Sequence, residues 1–198
     1  VMDALGLGRA HLAGMSLGGL IGQVLALQAP ERLASLALIG AEPLGWDGPP
    51  LPGIAAGFMD HFAGLAALDW DDRGAVAGFL LGIARLCAGS GAPFDAAREG
   101  RRIDRDLERA PDAGAAFAHA AVGLAGDWTG RWRDIARPVT VIHGAEDPIL
   151  PLANGLALAQ GIAGARLVVL DGVGHELPAR AVPALVAALG RAAGLANP

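Results

Sequence analysis

The sequence predicts an α/β fold, a parallel sheet flanked by helices and interrupted by a long helical insert, and three observations predict it. A short apolar strand, a helix and a second apolar strand follow one another over residues 9–39. The same alternation returns over residues 138–193. Between them, residues 41–137 carry helical patterning without a strand signal. Strand–helix–strand units of this kind imply parallel strands buried on both faces.

Taken in order, the opening VMDALGLG reads as the end of a helix closed by glycine. Residues 9–14 (RAHLAG) read as a buried strand, which places His11 inside it. Residues 17–29 read as a helix, with Leu17, Leu20, Ile21, Val24, Leu25 and Leu27 at helical spacing and Pro30 as the stop. Leu33–Ile39 is a continuous apolar run and the second strand. The insert opens with a Pro/Gly-rich loop, EPLGWDGPPLPG, and continues as helices over residues 54–68, Arg73–Cys87 and Ala96–Arg109. The last helix interleaves acids and arginines at helical offsets, the pattern of a solvated face rather than an anion site. A strand over 138–144, a helix over 152–162, a strand over 165–170 and a closing helix over 181–193 complete the chain. The expected organisation is core over 1–40, insert over 41–137, and core again over 138–198.

Composition narrows the function classes. Hydrophobic residues make up 53% and charged residues 18%, ample for a packed core. A net charge of −5 disfavours nucleic acid and anionic membrane, which select basic surfaces. No apolar run is long enough to suggest a membrane span, and nothing reads as a signal peptide, so the expected location is cytoplasmic. The single cysteine, Cys87, cannot form an intramolecular disulfide and reads as a buried structural thiol. No two histidines have metal-ligand spacing, so neither a metal nor another cofactor is expected.

Gly14-Met15-Ser16-Leu17-Gly18 fits the G-x-S-x-G pattern at a strand-to-helix turn. That turn strains the serine backbone and exposes its hydroxyl, and small neighbours let the strand and helix approach closely. A serine that only caps the helix is the bland alternative. Of the three serines, Ser35 and Ser90 lack this context. A nucleophilic serine needs a base and an orienting acid from later strand ends. His175 follows the last strand in DGVGH, and Asp147 follows the preceding one in GAEDP. Glu146 and Asp171 are alternative acids; Asp147 is favoured because it stands where the chain turns at Pro148. His143 ends a strand beside the acid loop, where a supporting hydrogen bond and plain packing are both open readings.

These motifs, Gly14-Met-Ser-Leu-Gly-Gly19, the helix ending Ala29-Pro-Glu-Arg32, His143-Gly-Ala-Glu-Asp147-Pro148 and Gly172-Val-Gly-His175, resemble those of the α/β-hydrolase superfamily. The segment GSGAPFD at 89–95 and the charged helix after it are similar to aclacinomycin methylesterase-type enzymes, which remove a methyl ester from a polyketide. The resemblance implies that residues 41–137 form a helical cap. Trp46, Phe58, Trp70, Phe79, Phe117, Trp128 and Trp132 would then line an apolar pocket or pack as ordinary core. It also implies an oxyanion-binding N–H at Leu17, and makes Met15, Trp128 and Ile149 candidate substrate contacts. Superfamily members have about four strands and a helix before the serine turn, so the resemblance implies that the N-terminal part of the sheet is missing here. The loop supplying the second oxyanion donor would be missing with it, at a cost of roughly 100- to 1,000-fold in rate.

The expected function is hydrolysis of a small-molecule carboxylic ester through an acyl-enzyme, with Ser16, His175 and Asp147 as nucleophile, base and acid. Lactone or carbon–carbon bond hydrolysis and acyl transfer on the same three residues are alternatives, because the pocket chooses the substrate. An inactive binding protein is the alternative from another class. The oligomeric state is not legible.

Overall fold

The structure is a computed structural model and describes residues 1–110 and 112–194; the last residues of the 138–198 span lie outside these. A single turn of 3-10 helix, Asp3–Leu5, stands where a helix end was expected, closed by Gly6 in the left-handed conformation. Four parallel strands follow: β1 (Ala10–Met15), β2 (Leu33–Ile39), β3 (Val139–Gly144) and β4 (Arg166–Leu170). They lie side by side in chain order. The helix α1 (Leu17–Gln28) joins β1 to β2, α5 (Leu152–Gly161) joins β3 to β4, and α6 (Val182–Ala192) closes the chain.

Three layers result. Leu33, Leu36 and Leu38 of β2 and Val139 and Val141 of β3 face α1 and α5, meeting Ala26, Leu158 and Ile162 in one core cluster. Ile39, Ile142 and Leu170 point to the opposite face, where Ala188, Leu185 and Leu189 of α6 cover them. The alternation follows from the two-residue period of a strand. Gln23, polar in the middle of α1, is nonetheless buried. Its side chain donates to the Glu42 carbonyl and accepts from the Leu44 amide, both at 2.9 Å, pinning the chain as it leaves β2.

The expectation of burial on both faces holds for β2 and β3 but not for β1. His11 and Ala13 are exposed on β1. The strand has one partner, β2, and α6 reaches the sheet over β2 and β3, which leaves an apolar groove between β1 and α6. Apolarity in a sequence records what a strand can bury, whereas the neighbouring elements decide what is covered.

Between β2 and β3 the insert folds as α2 (Ala56–Ala63), α3 (Arg73–Cys87) and α4 (Ala96–Arg109), with 3-10 turns at Gly64–Ala67, Gly114–Ala121 and Arg131–Asp134. The expected 54–68 helix is therefore α2 plus a tighter turn starting at Gly64. Asp72 and Asp95 start α3 and α4 by accepting from the Ala75 and Arg98 amides, the usual N-cap arrangement. No helix among the described residues is long and apolar enough to cross a membrane.

Candidate active site

Ser16 stands at the turn from β1 into α1 with φ 51° and ψ −120°, and is the one non-glycine residue with positive φ among the described residues. Such a conformation costs on the order of 1–3 kcal/mol and persists only where its surroundings dictate it. Here Ser16 N–H donates to the Ile39 carbonyl at 2.9 Å, fixing the turn to the end of β2. A Cβ on Gly14 would collide with the Gly18 carbonyl, so glycine permits the close strand–helix approach. The Ser16 side chain makes no capping hydrogen bond to α1, which removes the bland reading of this residue. The first amides of α1, including that of Leu17, have no partner within the helix and carry the positive end of its dipole.

The loop after β3 carries Asp147, with 1% of its side chain exposed, and the loop after β4 carries His175. His175 Nδ1–H donates to Asp147 Oδ2 at 2.7 Å. The other carboxylate oxygen accepts from the Ile149 and Leu150 amides at 2.9 and 2.8 Å. Burial opposes ionisation of Asp147, yet the bond and charge of His175 with the two amides hold its carboxyl below the usual carboxylate range. With Nδ1 so occupied, Nε2 is the ring nitrogen left to exchange a proton.

Gly40, directly after β2, is where these parts meet. Its φ is +47°, and a Cβ there would lie 3.3 Å from Asp147 Oδ2 and 3.4 Å from the His175 ring. Its amide donates to the Ile142 carbonyl at 2.9 Å. Ser16 is thus tied to one side of the β2 end, with the acid and the histidine on the other. The acid–histidine pair is joined. Among the described residues Ser16 Oγ has no hydrogen-bond partner, and such contacts commonly tighten only when substrate binds.

The alternative acids have other employment or position. Glu146 spends both carboxylate oxygens on Ser90, and Asp171 makes no side-chain bond to His175. His143 Nε2–H donates to the Leu150 carbonyl at 2.6 Å and lies 3.6 Å from Asp147 Oδ2, so it closes the acid loop from below. Burial pushes its pKa down, only partly offset by the Leu150 carbonyl and Asp147, and its Nδ1 is buried without a partner. His143 is accordingly held neutral.

A cleft of about 790 Å³ opens beside His175, between α3, α4 and the chain after β4. Leu80, Ile83, Phe94, Ile103 and Leu177 give it an apolar wall, while Arg98 stands at its edge with Arg102 and Arg180, the latter two paired with acids. Of the three candidate substrate contacts Met15 lines this cleft, and Trp128 and Ile149 stand elsewhere. Trp128 packs on the α1/α5 core with Trp46 and Trp132, its indole N–H donating to the Ala125 carbonyl. Ile149 serves Asp147 through its backbone amide. The other expected pocket aromatics, Phe58, Trp70, Phe79 and Phe117, gather around Phe62 in a ring cluster inside the insert.

Cys87 also borders the cleft. Burial, with smaller contributions from Asp147 and Glu176, pushes its thiol up to about 12, which keeps it protonated and unreactive. Among the described residues no cluster of His, Cys, Asp and Glu could hold a metal ion. The charged helix α4 does present a solvated face of exposed ion pairs, yet its Arg98, Glu99, Arg102 and Asp106 also edge the cleft. Phe94 and the Ser90–Glu146 contact were missed in the sequence, although both involve the 89–95 segment singled out there.

Sheets that hold a strained serine turn after one strand and a histidine–carboxylate pair after later ones define the α/β hydrolases as a class. The chain belongs to that family: the family model described as alpha/beta hydrolase fold matches residues 1–179. It is 34% identical over 209 residues to a rhodomycin D methylesterase of Streptomyces peucetius, a match covering 96% of this chain and 68% of that protein. It is 35% identical over 178 residues to a pimeloyl-[acyl-carrier protein] methyl ester esterase of Aromatoleum aromaticum, covering 84% of this chain and 66% of that protein. Among solved structures it is similar to a hydrolase from Pseudomonas aeruginosa PA01, with a TM-score of 0.67 and 32% identity over 98% of this chain and 68% of that one.

Proposed function

We propose that this chain carries the machinery of a serine carboxylic ester hydrolase, with Ser16 as nucleophile, His175 as general base and acid, and Asp147 as the orienting acid. The observation that carries the reading is the His175–Asp147 bond, formed at the same strand end that anchors the strained Ser16 turn. His175 Nε2 takes the Ser16 hydroxyl proton as Oγ attacks the ester carbonyl carbon. The Leu17 amide, at the positive end of α1, donates to the oxyanion that develops. Collapse breaks the bond to the alkoxy group, which leaves as an alcohol with the proton from His175. Water, deprotonated by the same histidine, then attacks the acyl-enzyme; the carboxylic acid departs and Ser16 regains its proton.

In this reading residues 41–137 are the cap, and the cleft between cap and core receives the acyl or ring body against Leu80, Ile83, Phe94 and Ile103. An apolar wall with a rim of arginines and acids suits a bulky acid portion with an apolar body and a polar edge. Both named esterases above are methyl ester esterases by name, which supports a small alcohol leaving group. The test is fluorophosphonate labelling followed by hydrolysis assays on methyl esters of bulky acids, lactones and diketones. Labelling of Ser16, its loss in Ser16→Ala, and preference for the methyl esters support the reading. Esterase activity that survives Ser16→Ala overturns it, and a preference for lactones or diketones moves the reaction class.

A further inference from the structure

Between α3 and α4 the chain crosses residues 88–95, and this short segment is bonded to both loops that carry the acid and the base. Three consecutive amides are used. Gly89 N–H donates to Glu176 Oε1 at 2.9 Å, Ser90 N–H to Glu146 Oε2 at 2.7 Å, and Gly91 N–H to the Gly172 carbonyl at 2.9 Å. The Ser90 hydroxyl adds a bond to Glu146 Oε1 at 2.6 Å. Glu146 immediately precedes Asp147, and Glu176 immediately follows His175.

The two loops are also tied to each other, Glu146 N–H donating to the Val173 carbonyl at 2.9 Å and Ala145 N–H to that of Leu170 at 3.0 Å. Arg180 closes the ring, donating to the Gly172 carbonyl and lying 3.5 Å from Glu176 Oε1. The approach is close: a Cβ on Gly89 would collide with the Gly172 carbonyl, and one on Gly174 with the Cys87 carbonyl.

Building on the ester-hydrolase reading, we propose that Ser90, Glu146 and Glu176 are positioning residues, and that the 88–95 segment is a strap aligning the Asp147–His175 pair and coupling it to the cap. Asp147 and His175 come from separate loops, so the bond between them requires both loops to be held. Each loop is held through a carboxylate adjacent in sequence to the reacting residue, and hydrogen bonds to ionised acceptors are the strong class. The Ser90 bonds keep the Glu146 carboxyl below its usual range, so it stays in the form that accepts both of them. The strap also joins α3 to α4, the helices that wall the cleft. A ligand that displaces those helices therefore acts on the same amides that align the base.

The test compares Glu146→Ala, Glu146→Gln and Ser90→Ala in the full chain. Its readouts are the rate of fluorophosphonate labelling at Ser16, kcat and KM on an aryl acetate, and the downfield NMR resonance of the His175 Nδ1 proton. Glu146→Ala is expected to lower labelling and kcat about tenfold, the size of a modest misalignment of reacting groups. The Nδ1 resonance should shift or broaden, with KM changed by less than about twofold. Glu146→Gln, whose amide oxygen still accepts from the Ser90 amide while its NH2 donates to the Ser90 hydroxyl oxygen, recovers most of the rate. Ser90→Ala falls between the two and serves if Glu146→Ala does not fold. Wild-type rate and resonance in folded Glu146→Ala overturn the strap, as does a loss confined to KM, which would make the segment a substrate wall alone. If the wild-type chain neither labels nor hydrolyses esters, the ester-hydrolase reading falls, while the resonance still decides the strap.

Discussion

The loops after β3 and β4 and the helices of the insert are held by different kinds of contact. In the loops, the polar atoms of Asp147 are bonded to backbone amides and to His175 with almost no solvent exposure. In the insert, Arg102 pairs with Glu99 and Asp106 while itself 49% exposed, and the interior is a set of stacked and edge-on rings around Phe62. Buried, multiply bonded carboxylates fix geometry, whereas exposed ion pairs contribute little and ring clusters tolerate repacking. The difference teaches a division of labour: the Asp147–His175 bond is sheltered and braced from outside by the 88–95 strap, while the rest of the insert is built from forgiving contacts.

That contrast can be broken or sharpened by substitution. The largest effect is expected from Asp147→Asn, which keeps the shape of the loop but favours the wrong histidine tautomer. Ester hydrolysis should fall by about 10⁴-fold while the folded state persists, and a loss of less than tenfold in steady-state assays would remove Asp147 from the orienting role. Phe62→Ala, at the hub of the ring cluster, is expected to cost at most about 3 kcal/mol in denaturant unfolding. It should raise KM for bulky esters more than for an aryl acetate; equal loss of kcat on both substrates would mean that alignment depends on the ring cluster as well as on the 88–95 strap.

His143 gives a pH-dependent test with a definite sign. Its pKa in the fold is depressed by burial below its ordinary 6.5, so the unfolded chain binds the proton more readily. Stability is complete above that value and is lost as pH falls through the lower, folded pKa; Asp147, also depressed, adds a loss of the same sign further into acid. The melting temperature followed from about pH 7 to about pH 4 should fall less steeply at its upper end in His143→Gln than in wild type. Parallel curves would mean that His143 carries no such linkage. The smallest effect is expected of Arg102→Ala, whose two exposed ion pairs should together contribute less than about 1 kcal/mol in chemical denaturation.

Much of this molecule was legible in its sequence. The bounds of β2, α3 and α4 follow from local signals: a continuous apolar run for the first, and aspartate caps at Asp72 and Asp95 for the helices. The Ser16 turn was legible for the same reason, since the small residues it needs are its immediate neighbours. What stayed hidden depends on partners distant in the chain. The open face of β1 depends on which elements lie beside it. Trp128 and Trp132 were recognisable as apolar but not as members of the α1/α5 core. The Ser90–Glu146 bond joins residues 56 positions apart, and no pattern in either segment announces the other.

The position of the insert has a consequence for how the protein acquires its structure. The β1–α1–β2 and β3–α5–β4 units are each local, while Leu36 pairs with Val139 across the entire insert. Loop closure over such a distance is the slow kind of contact, and topologies dominated by it fold slowly. The two halves should acquire their hydrogen bonds first and their mutual register last, so that in refolding, amide protection within each half precedes fluorophosphonate uptake at Ser16. On the ribosome the serine emerges well ahead of the histidine. The nascent chain thus grows from Ser16 to His175 with the proposed nucleophile in place and its base still to be made.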